Sequence, residues 1–412
     1  MLFGGTLVLL LVACLGAGPQ RPTPAPSETA YPAGTPLPPV VTKMAAENTA
    51  YLPVIVGAGG TAVAQVTPTP ADPPGTPTVT ETATQTGTPT DTPTPTMTPT
   101  PRWPPALETP GLSKVALHIV RNDSPDIMEF MRVTKPPVVK SVDDFGFMAE
   151  IKEFSPTTVT VGRILLAEQP MDGDPIARAQ AFVAQHVQTY LAYPAVDYWE
   201  GYNEPSTDAP QMQWYAQFEA ERVRQMAAYG LRTAIGAFAT GTPEIDQMVA
   251  FLPAVEAAKQ YGGILVLHEY AAPTMDYAMG SPIPGGAAAP DRGPFMLRYR
   301  FYYDGIFKPR GLVLPLVISE AGIDGGITNR PGPDSGGGWQ EFREYWQEIG
   351  LGGGSSTYID QLAWYDSEVQ RDDYVIGFTV FTVGGSRHPE WRSFDITQIL
   401  TKLARYVVTQ VP

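Results

Sequence analysis

Two glutamates in matching sequence settings are the strongest candidates for chemistry. Glu204 lies in the stretch WEGYNEP at 199–205, and Glu320 lies in LVISEAG at 316–322. Each glutamate ends an apolar, strand-like run. If the two strands are parallel members of one barrel, both carboxyl groups lie at its C-terminal face, where barrel enzymes keep their catalytic residues. Two carboxyl groups about 5 to 5.5 Å apart, one protonated and one ionised, can hydrolyse a glycosidic bond with retention of configuration.

The elements that would position these glutamates alternate between strands and helices. Helical periodicity is clear at 175–191, 211–229 and 244–260. Strand-like runs occur at 115–121, 137–142, 158–167, 196–203, 231–238, 264–270, 314–319 and 375–383. Eight strands alternating with helices predict a (β/α)8 TIM barrel over residues 111–412. An open doubly wound sheet is the alternative, but the turn after the first strand reads RNDSP at 121–125 and lacks the Gly-x-Gly-x-x-Gly pattern.

Three short motifs on these strands resemble clan A glycoside hydrolases, a superfamily of retaining barrel enzymes. They are Asn203-Glu204-Pro205 on strand 4, His268-Glu269-Tyr270 on strand 6 and Ser319-Glu320 on strand 7. The resemblance implies that Glu204 is the general acid/base and Glu320 the nucleophile. It also implies that Asn203 contacts the sugar 2-hydroxyl, that the Tyr270 hydroxyl bonds to the nucleophile, and that His268 belongs to the substrate-binding set.

The sequence departs from the clan pattern at the cation beside the nucleophile. Clan members usually carry an arginine on strand 2, where this chain offers Lys140, followed by Asp143 and Asp144. Arg163 on strand 3 or Arg121 at the end of strand 1 could take the place of that arginine. We count Arg163 among the expected substrate-binding residues. Glu200, four residues before Glu204, is expected to be a structural partner inside the barrel.

The platform for the sugar ring also departs from the clan, which commonly has a tryptophan after strand 8. Here Phe381 or Trp391 would have to serve. Aromatic rings stack on the flat faces of sugars, so Tyr202, Trp339 and Trp391 are the predicted substrate-stacking residues. Two Gly/Pro-rich insertions, 273–294 after strand 6 and 323–338 after strand 7, are expected to rim the cleft.

Other chemistries find little support in the sequence. His268-Glu269 begins a His-Glu-x-x-His zinc motif, but Ala272 stands where the second histidine is required. No Gly-x-Ser-x-Gly nucleophile elbow occurs. A net charge of −15 disfavours binding to nucleic acid. We therefore expect no metal, no organic cofactor, no nucleic acid and no obligate protein partner.

The N-terminus predicts export. Residues 2–13 form an apolar run of secretory length, and Leu11-Val12-Ala13-Cys14 resembles the lipobox of bacterial lipoproteins, although no Lys or Arg precedes it. We predict a signal peptide at 1–13 and lipidation of Cys14, the only cysteine. The alternative is an ordinary cleaved signal with an incidental cysteine. Residues 14–110 are predicted to be a disordered tether, because 25 of the 35 residues from 67 to 101 are Thr or Pro.

The sequence as a whole predicts a retaining glycoside hydrolase that cleaves a β-linked oligo- or polysaccharide at the cell surface, held to the membrane by its lipid anchor. Two alternatives stay open. One is a barrel that binds glycan without cutting it and is displayed as an adhesin. The other is a cell-wall muramidase.

Overall fold

The structure, a computed structural model, describes residues 101–411. The predicted signal peptide, Cys14 and residues 14–100 of the predicted tether lie outside this part of the chain. Within 101–411, no helix combines the length and the apolar character needed to cross a membrane.

Eight parallel strands form one sheet in the order β4-β3-β2-β1-β8-β7-β6-β5. A parallel bridge between Trp199 and Thr233 joins the two end strands and closes the sheet into a barrel. The (β/α)8 prediction is confirmed and the open sheet is excluded. The strands are β1 Val115–Ile119, β2 Val138–Val142, β3 Val159–Arg163, β4 Tyr198–Trp199, β5 Ala234–Phe238, β6 Ile264–Ala271, β7 Leu316–Ile323 and β8 Val375–Val383.

Helices follow the strands around the outside of the barrel. They begin where the sequence supplies caps. The Ser124 hydroxyl accepts a hydrogen bond from the N–H of Asp126 at the start of α1, the Asp174 carboxylate does the same at α3, and a proline opens each helix. The helices are α1 Pro125–Thr134, α2 Met148–Phe154, α3 Pro175–Ala192, α4 Ala209–Ala228, α5 Ile245–Ala250, α6 Leu252–Tyr261, α7 Tyr299–Tyr302, α8 Lys308–Arg310, α9 Arg343–Glu348, α10 Ser355–Val369 and α11 Leu400–Val407.

The seam between β4 and β5 is held by a side chain of α4. The guanidinium of Arg222 donates to the Trp199 carbonyl on β4 at 3.1 Å and to the Ala234 carbonyl on β5 at 2.9 Å. Glu219 neutralises this buried cation through two hydrogen bonds of 2.7 Å. Because β4 pairs over only two residues, this ion pair supplies hydrogen bonds that the short strand lacks.

The barrel interior has an apolar layer with a polar layer above it. Successive side chains of a strand point to opposite faces, so residues two apart share the interior. On two strands an inward-facing apolar residue is followed, two positions nearer the C-terminal end, by an inward-facing polar residue. These residues are Val138 and Lys140 on β2 and Val266 and His268 on β6, and all four are buried. The polar layer forms the floor of the cleft described below.

The last residues of the predicted tether pack against the barrel. The Leu107 N–H donates to the Val133 carbonyl of α1 at 2.9 Å, and the Lys135 ammonium donates to the Glu108 carbonyl at 2.5 Å. Arg405 of α11 donates to the Arg102 carbonyl at 3.0 Å. The prediction that the disordered tether extends to residue 110 is therefore wrong for 101–110, which belong with the barrel.

Candidate active site

Both glutamates face one cavity of about 340 Å3 at the C-terminal end of the barrel. The prediction placed them at the ends of strands 4 and 7. Glu204 follows β4, whereas β7 continues past Glu320 to Ile323. The cavity is lined by Arg163, Asn203, Glu204, Tyr270, Glu320, Asp324, Gly336, Phe381, Glu390, Trp391 and Phe394.

The Glu320 carboxylate is buried and surrounded by donors. Lys140 donates to Oε1 at 3.0 Å, and the Tyr270 hydroxyl donates to Oε2 at 2.9 Å. Two more nitrogens lie near Oε1. They are Nε2 of His118, at 3.5 Å, and Nη2 of Arg163, at 3.6 Å. The side chain of Glu320 is therefore fixed in position by both of its oxygens.

Electrostatics keep Glu320 ionised. Burial alone would raise the pKa of this carboxyl, but the charges of His268 and Lys140 and the hydrogen bond from His118 outweigh burial and hold the pKa well below its usual range. Burial also lowers the pKa of His118 to about 4, so this imidazole is neutral near pH 7. An ionised carboxylate next to an open cavity is the state that a nucleophile requires.

Glu204 has a different environment, more open to solvent. Its side chain is 40% exposed, against 8% for Glu320. The only hydrogen-bonding partner of its carboxylate within residues 101–411 is His268 Nδ1, at 2.8 Å from Oε1. One oxygen of Glu204, one oxygen of Glu320 and one nitrogen of His268 all lie within 4.8 Å of one another. The two carboxylates thus converge on one point of the cleft.

His268 lies beneath the cleft, between the two glutamates. The residue is 2% exposed, and its Nδ1 lies 2.8 Å from Glu204 and 3.6 Å from Glu320. His268 was expected to bind substrate, but it is not among the residues that line the cavity. Its contacts fit a residue that positions both glutamates.

The cation expected on strand 2 is supplied by Lys140, with Arg163 beside it. Lys140 is fully buried and bridges Glu320 and Glu200, whose Oε2 lies 2.9 Å from its ammonium. Arg163 lines the cleft and lies 3.6 Å from each of the same two carboxylates. Glu200 is therefore the internal structural partner that the sequence predicted. Arg121 is exposed and makes no ion pair with Glu320.

Asn203 lines the cleft, and its contact with the sugar 2-hydroxyl stays a prediction. The side-chain amide of Gln169 hydrogen-bonds to both the N–H and the carbonyl of Asn203, which fixes the backbone beside Glu204. The side-chain oxygen Oδ1 of Asn203 is buried and has no hydrogen-bonding partner within residues 101–411. A buried acceptor without a donor carries a free-energy cost that a ligand hydroxyl would relieve.

The predicted aromatic residues divide into two groups. Trp391 lines the cleft with Phe381 and Phe394, and Phe381 meets Trp391 edge to face at 6.0 Å. Tyr202 is 2% exposed and donates its hydroxyl to the Pro170 carbonyl, away from the glutamates. Trp339 is 3% exposed and stacks on Tyr358. Tyr202 and Trp339 are thus core residues, contrary to the prediction that they bind substrate.

Asp324 is a third carboxylate in the cleft that the sequence reasoning missed. Its Oδ1 accepts the Gly326 N–H at 2.7 Å, and the residue lines the cavity beside both glutamates. Burial, with a contribution from the charge of Glu204, raises the pKa of Asp324 to about 6. The signal that could have found it is its position, four residues after Glu320 at the start of the predicted rim insertion.

The two predicted rim insertions differ in their relation to the cleft. The insertion after β7 contributes Asp324 and Gly336 to the cavity wall. Arg330 holds this loop by donating to the Gly325 carbonyl at 2.9 Å and to the Ser335 carbonyl at 2.7 Å. The insertion at 273–294 contributes no residue to the cavity. Tyr277 of this insertion instead donates to the Asn329 carbonyl at 3.2 Å. The insertion at 273–294 therefore contacts the insertion at 323–338 and supports it.

Glu204, His268 and Glu320 are also the described residues whose ligand atoms are close enough to hold a metal ion. Lys140 and Arg163 lie within 3.6 Å of Glu320 Oε1, so a divalent cation at that carboxylate would be repelled by two positive charges. The donor set therefore fits acid/base chemistry better than metal binding.

The chain matches no protein-family model and no curated protein. Among solved structures it is similar to an endo-β-1,3-glucanase of glycoside hydrolase family 128, subgroup II, from Pseudomonas viridiflava, with 14% identity and a TM-score of 0.42 over 74% of this chain and 99% of that one. A subgroup I endo-β-1,3-glucanase from Amycolatopsis mediterranei, in complex with laminaripentaose, gives 12% identity and a TM-score of 0.38 over 71% and 99%. A glycoside hydrolase family 5 enzyme from Prevotella bryantii gives 12% identity and a TM-score of 0.39 over 69% and 87%. All three neighbours are described as glycoside hydrolases, and values this low assign the chain to none of their families.

Proposed function

We propose that this protein is a retaining glycoside hydrolase that cleaves a β-linked oligo- or polysaccharide. The observation that carries the proposal is the approach of the Glu204 and Glu320 carboxylates to within 4.8 Å. Retaining glycosidases hold their two carboxyl groups about 5 to 5.5 Å apart, whereas inverting enzymes need roughly 6.5 to 9.5 Å to admit a water molecule between them.

The environments of Glu320 and Glu204 indicate that Glu320 is the nucleophile and Glu204 the proton donor. Glu320 is buried, held ionised by its neighbours and fixed by Lys140 and Tyr270. In the first step one of its oxygens attacks the anomeric carbon while Glu204 protonates the glycosidic oxygen. The bond between that carbon and the leaving group breaks, and a glycosyl ester forms on Glu320.

The second step reverses the role of Glu204. Its exposed carboxylate takes a proton from an incoming water, whose oxygen attacks the anomeric carbon, and the ester bond breaks to return ionised Glu320. Two inversions at one carbon give overall retention. No step needs a metal or an organic cofactor.

The substrate surface combines an aromatic wall with polar groups. Trp391, Phe381 and Phe394 provide apolar faces for a sugar ring, and the unpartnered Asn203 Oδ1 can accept a hydrogen bond from a hydroxyl. These features support a carbohydrate ligand.

Activity is tested on aryl β-glycosides and on a panel of β-glucans, β-mannan and peptidoglycan, the last covering the muramidase alternative. We expect Glu320→Gln to abolish turnover while the variant stays folded, with a lower unfolding temperature because Lys140 and Arg163 lose a buried partner. We expect azide to rescue a Glu204→Ala variant on aryl glycosides with good leaving groups, giving a β-glycosyl azide. Glu256→Gln, the same amide change at an exposed position of α6, is the matched control and should leave turnover unchanged.

Two outcomes would contradict the proposal. Turnover retained in Glu320→Gln would remove the nucleophile from the mechanism. Binding of a glycan by the wild type without any hydrolysis across the panel would favour the adhesin instead.

We further propose that the barrel is exported and anchored through Cys14, on the strength of the lipobox-like sequence at 11–14. Incorporation of a labelled fatty acid into the wild type, lost in Cys14→Ala, is the expected result. Equal labelling of both would exclude lipidation at this cysteine.

A further inference from the structure

The backbone of Glu204 adopts an unusual conformation that it shares with a residue of the next strand. Glu204 has φ 47° and Ala237 has φ 49°, both in the left-handed region that non-glycine residues rarely occupy. The Glu204 N–H donates to the Ala237 carbonyl at 2.9 Å. Such conformations cost free energy and persist only where the surroundings enforce them, often at functional sites.

The surroundings that enforce this conformation are a β-bulge in β5. Gly236 pairs with Val266 of β6 and Phe238 pairs with the next residue, Leu267, so Ala237 is left without a partner. The bulge requires glycine at 236, because φ there is 104° and a Cβ atom would lie 2.8 Å from the Val266 carbonyl oxygen.

The bulge is also held from outside the barrel. The Tyr215 hydroxyl of α4 donates to the Gly236 carbonyl at 3.1 Å, and this tyrosine is 1% exposed. A continuous chain of contacts therefore runs from α4 through the bulge to the backbone of Glu204. Glu204 itself follows a strand of only two paired residues, so β4 does little to fix it.

We infer that the bulge at Gly236 and Ala237, supported by Tyr215, is the device that positions Glu204 for proton transfer. By fixing the Glu204 N–H, the Ala237 carbonyl sets the direction in which the carboxylate leaves the backbone, toward His268 and Glu320. This inference rests on the proposed function only in naming Glu204 as the proton donor. Gly236, Ala237 and Tyr215 are not among the residues that line the cavity, so we treat them as positioning residues.

The test uses Gly236→Ala, which places a Cβ against the Val266 carbonyl and disturbs the bulge. A misplaced proton donor slows the departure of poor leaving groups far more than that of good ones, which need no proton. We therefore expect kcat/KM to fall at least tenfold on an unactivated oligosaccharide. On a dinitrophenyl glycoside the fall should be less than threefold.

Gly230→Ala is the matched control. Gly230 also has a positive φ, 72°, but no atom of residues 101–411 lies within 4 Å of the place where its Cβ would be. It follows α4, at the opposite end of the barrel from Glu204. The same substitution there introduces backbone strain without touching the bulge. We expect a lower unfolding temperature. Any fall in kcat/KM relative to the wild type should be the same on the oligosaccharide and on the dinitrophenyl glycoside.

Tyr215→Phe keeps the inference testable if Gly236→Ala does not fold, since it removes only the hydroxyl. We expect the same leaving-group signature, about two- to fivefold. Equal losses on both substrates, or no loss in either variant, would overturn the positioning role.

A crystal structure of a folded bulge variant separates this inference from the proposed function, because it needs no turnover. We expect His268 Nδ1 and Glu204 Oε1, 2.8 Å apart in the wild type, to move beyond 3.5 Å. An unchanged distance would overturn the inference. Absence of hydrolysis by the wild type would instead count against the proposed function alone.

Discussion

Replacing Lys140 by Met should shift the pH at which the nucleophile ionises. Lys140 is fully buried between Glu320 and Glu200, so the variant removes the nearer of the two cations that these carboxylates share. Opposite unit charges 3.0 Å apart interact by about 5.5 kcal/mol at an effective dielectric constant of about 20. Arg163 remains 3.6 Å from the same oxygen, so Glu320 keeps one cationic neighbour, and its pKa should rise in the variant without losing all of its depression.

The sign follows from the state that reacts. Glu320 must be ionised, and its pKa in the wild type is held well below the usual range, so kcat/KM should fall only at strongly acidic pH. In Lys140→Met the pKa of Glu320 rises, and the acidic limb of the profile should move to higher pH. The measurement is kcat/KM on an aryl glycoside across the pH range in which the protein stays folded.

Lys140→Met should also lower the free energy of unfolding, by an amount that depends on pH. A carboxylate with a depressed pKa stabilises the fold above its ordinary pKa, and this contribution is lost as pH falls through the depressed value. Losing one partner of a buried ion pair costs about 3 to 5 kcal/mol at neutral pH, and the difference from wild type should shrink below about pH 4 as the carboxyls become protonated. Chemical denaturation at several pH values measures this.

Lys152→Met on α2 is the matched control, because Lys152 pairs with Asp197 at a partly exposed site outside the cleft. It should lose little stability and leave the pH profile unchanged. An acidic limb at the same pH in Lys140→Met and the wild type would refute the electrostatic role given to Lys140.

Three further substitutions probe the walls of the cleft. Burial raises the pKa of Asp324 to about 6 from 3.8, so ionisation of this carboxyl opposes folding as pH rises from about 4 to 6. Asp324→Asn should therefore raise the free energy of unfolding at pH 7.5 by up to about 3 kcal/mol, and the unfolding temperature with it. The variant should lose this advantage below about pH 4. Trp391→Ala should raise KM about two- to tenfold with kcat and stability nearly unchanged, because a stacking contact is worth roughly 0.5 to 1.5 kcal/mol. Arg330→Ala removes hydrogen bonds to four loop carbonyls, so limited proteolysis should cut within 325–338 faster than in the wild type.

The strands and the two glutamates were predictable because both depend on local patterns. Apolar runs of strand length mark all eight strands, and the predicted bounds of β8 agree with the structure. Glu204 and Glu320 stand at the ends of such runs, and parallel strands bring their C-terminal ends to one face. Lys140 was also within reach of this reasoning, because it lies two residues beyond the inward-facing Val138.

Other parts of the site depend on contacts that the local sequence does not encode. Tyr202 and Trp339 stand near the motifs, yet helix and loop packing cover them, and no periodic pattern distinguishes a covered aromatic residue from an open one. Asp324 faces the cleft because its loop is folded by Arg330, several residues further on. The bulge at Ala237 arises from a register shift between two strands that both look regular in sequence.

The anomeric configuration of the first product tests the central claim most directly. A β-glycoside is hydrolysed while the reducing-end proton signals are followed by NMR, before mutarotation mixes the two anomers. Carboxylates within 4.8 Å of each other predict that the β-anomer appears first. Initial appearance of the α-anomer would mean direct attack by water and would contradict the assignment of Glu320 as nucleophile.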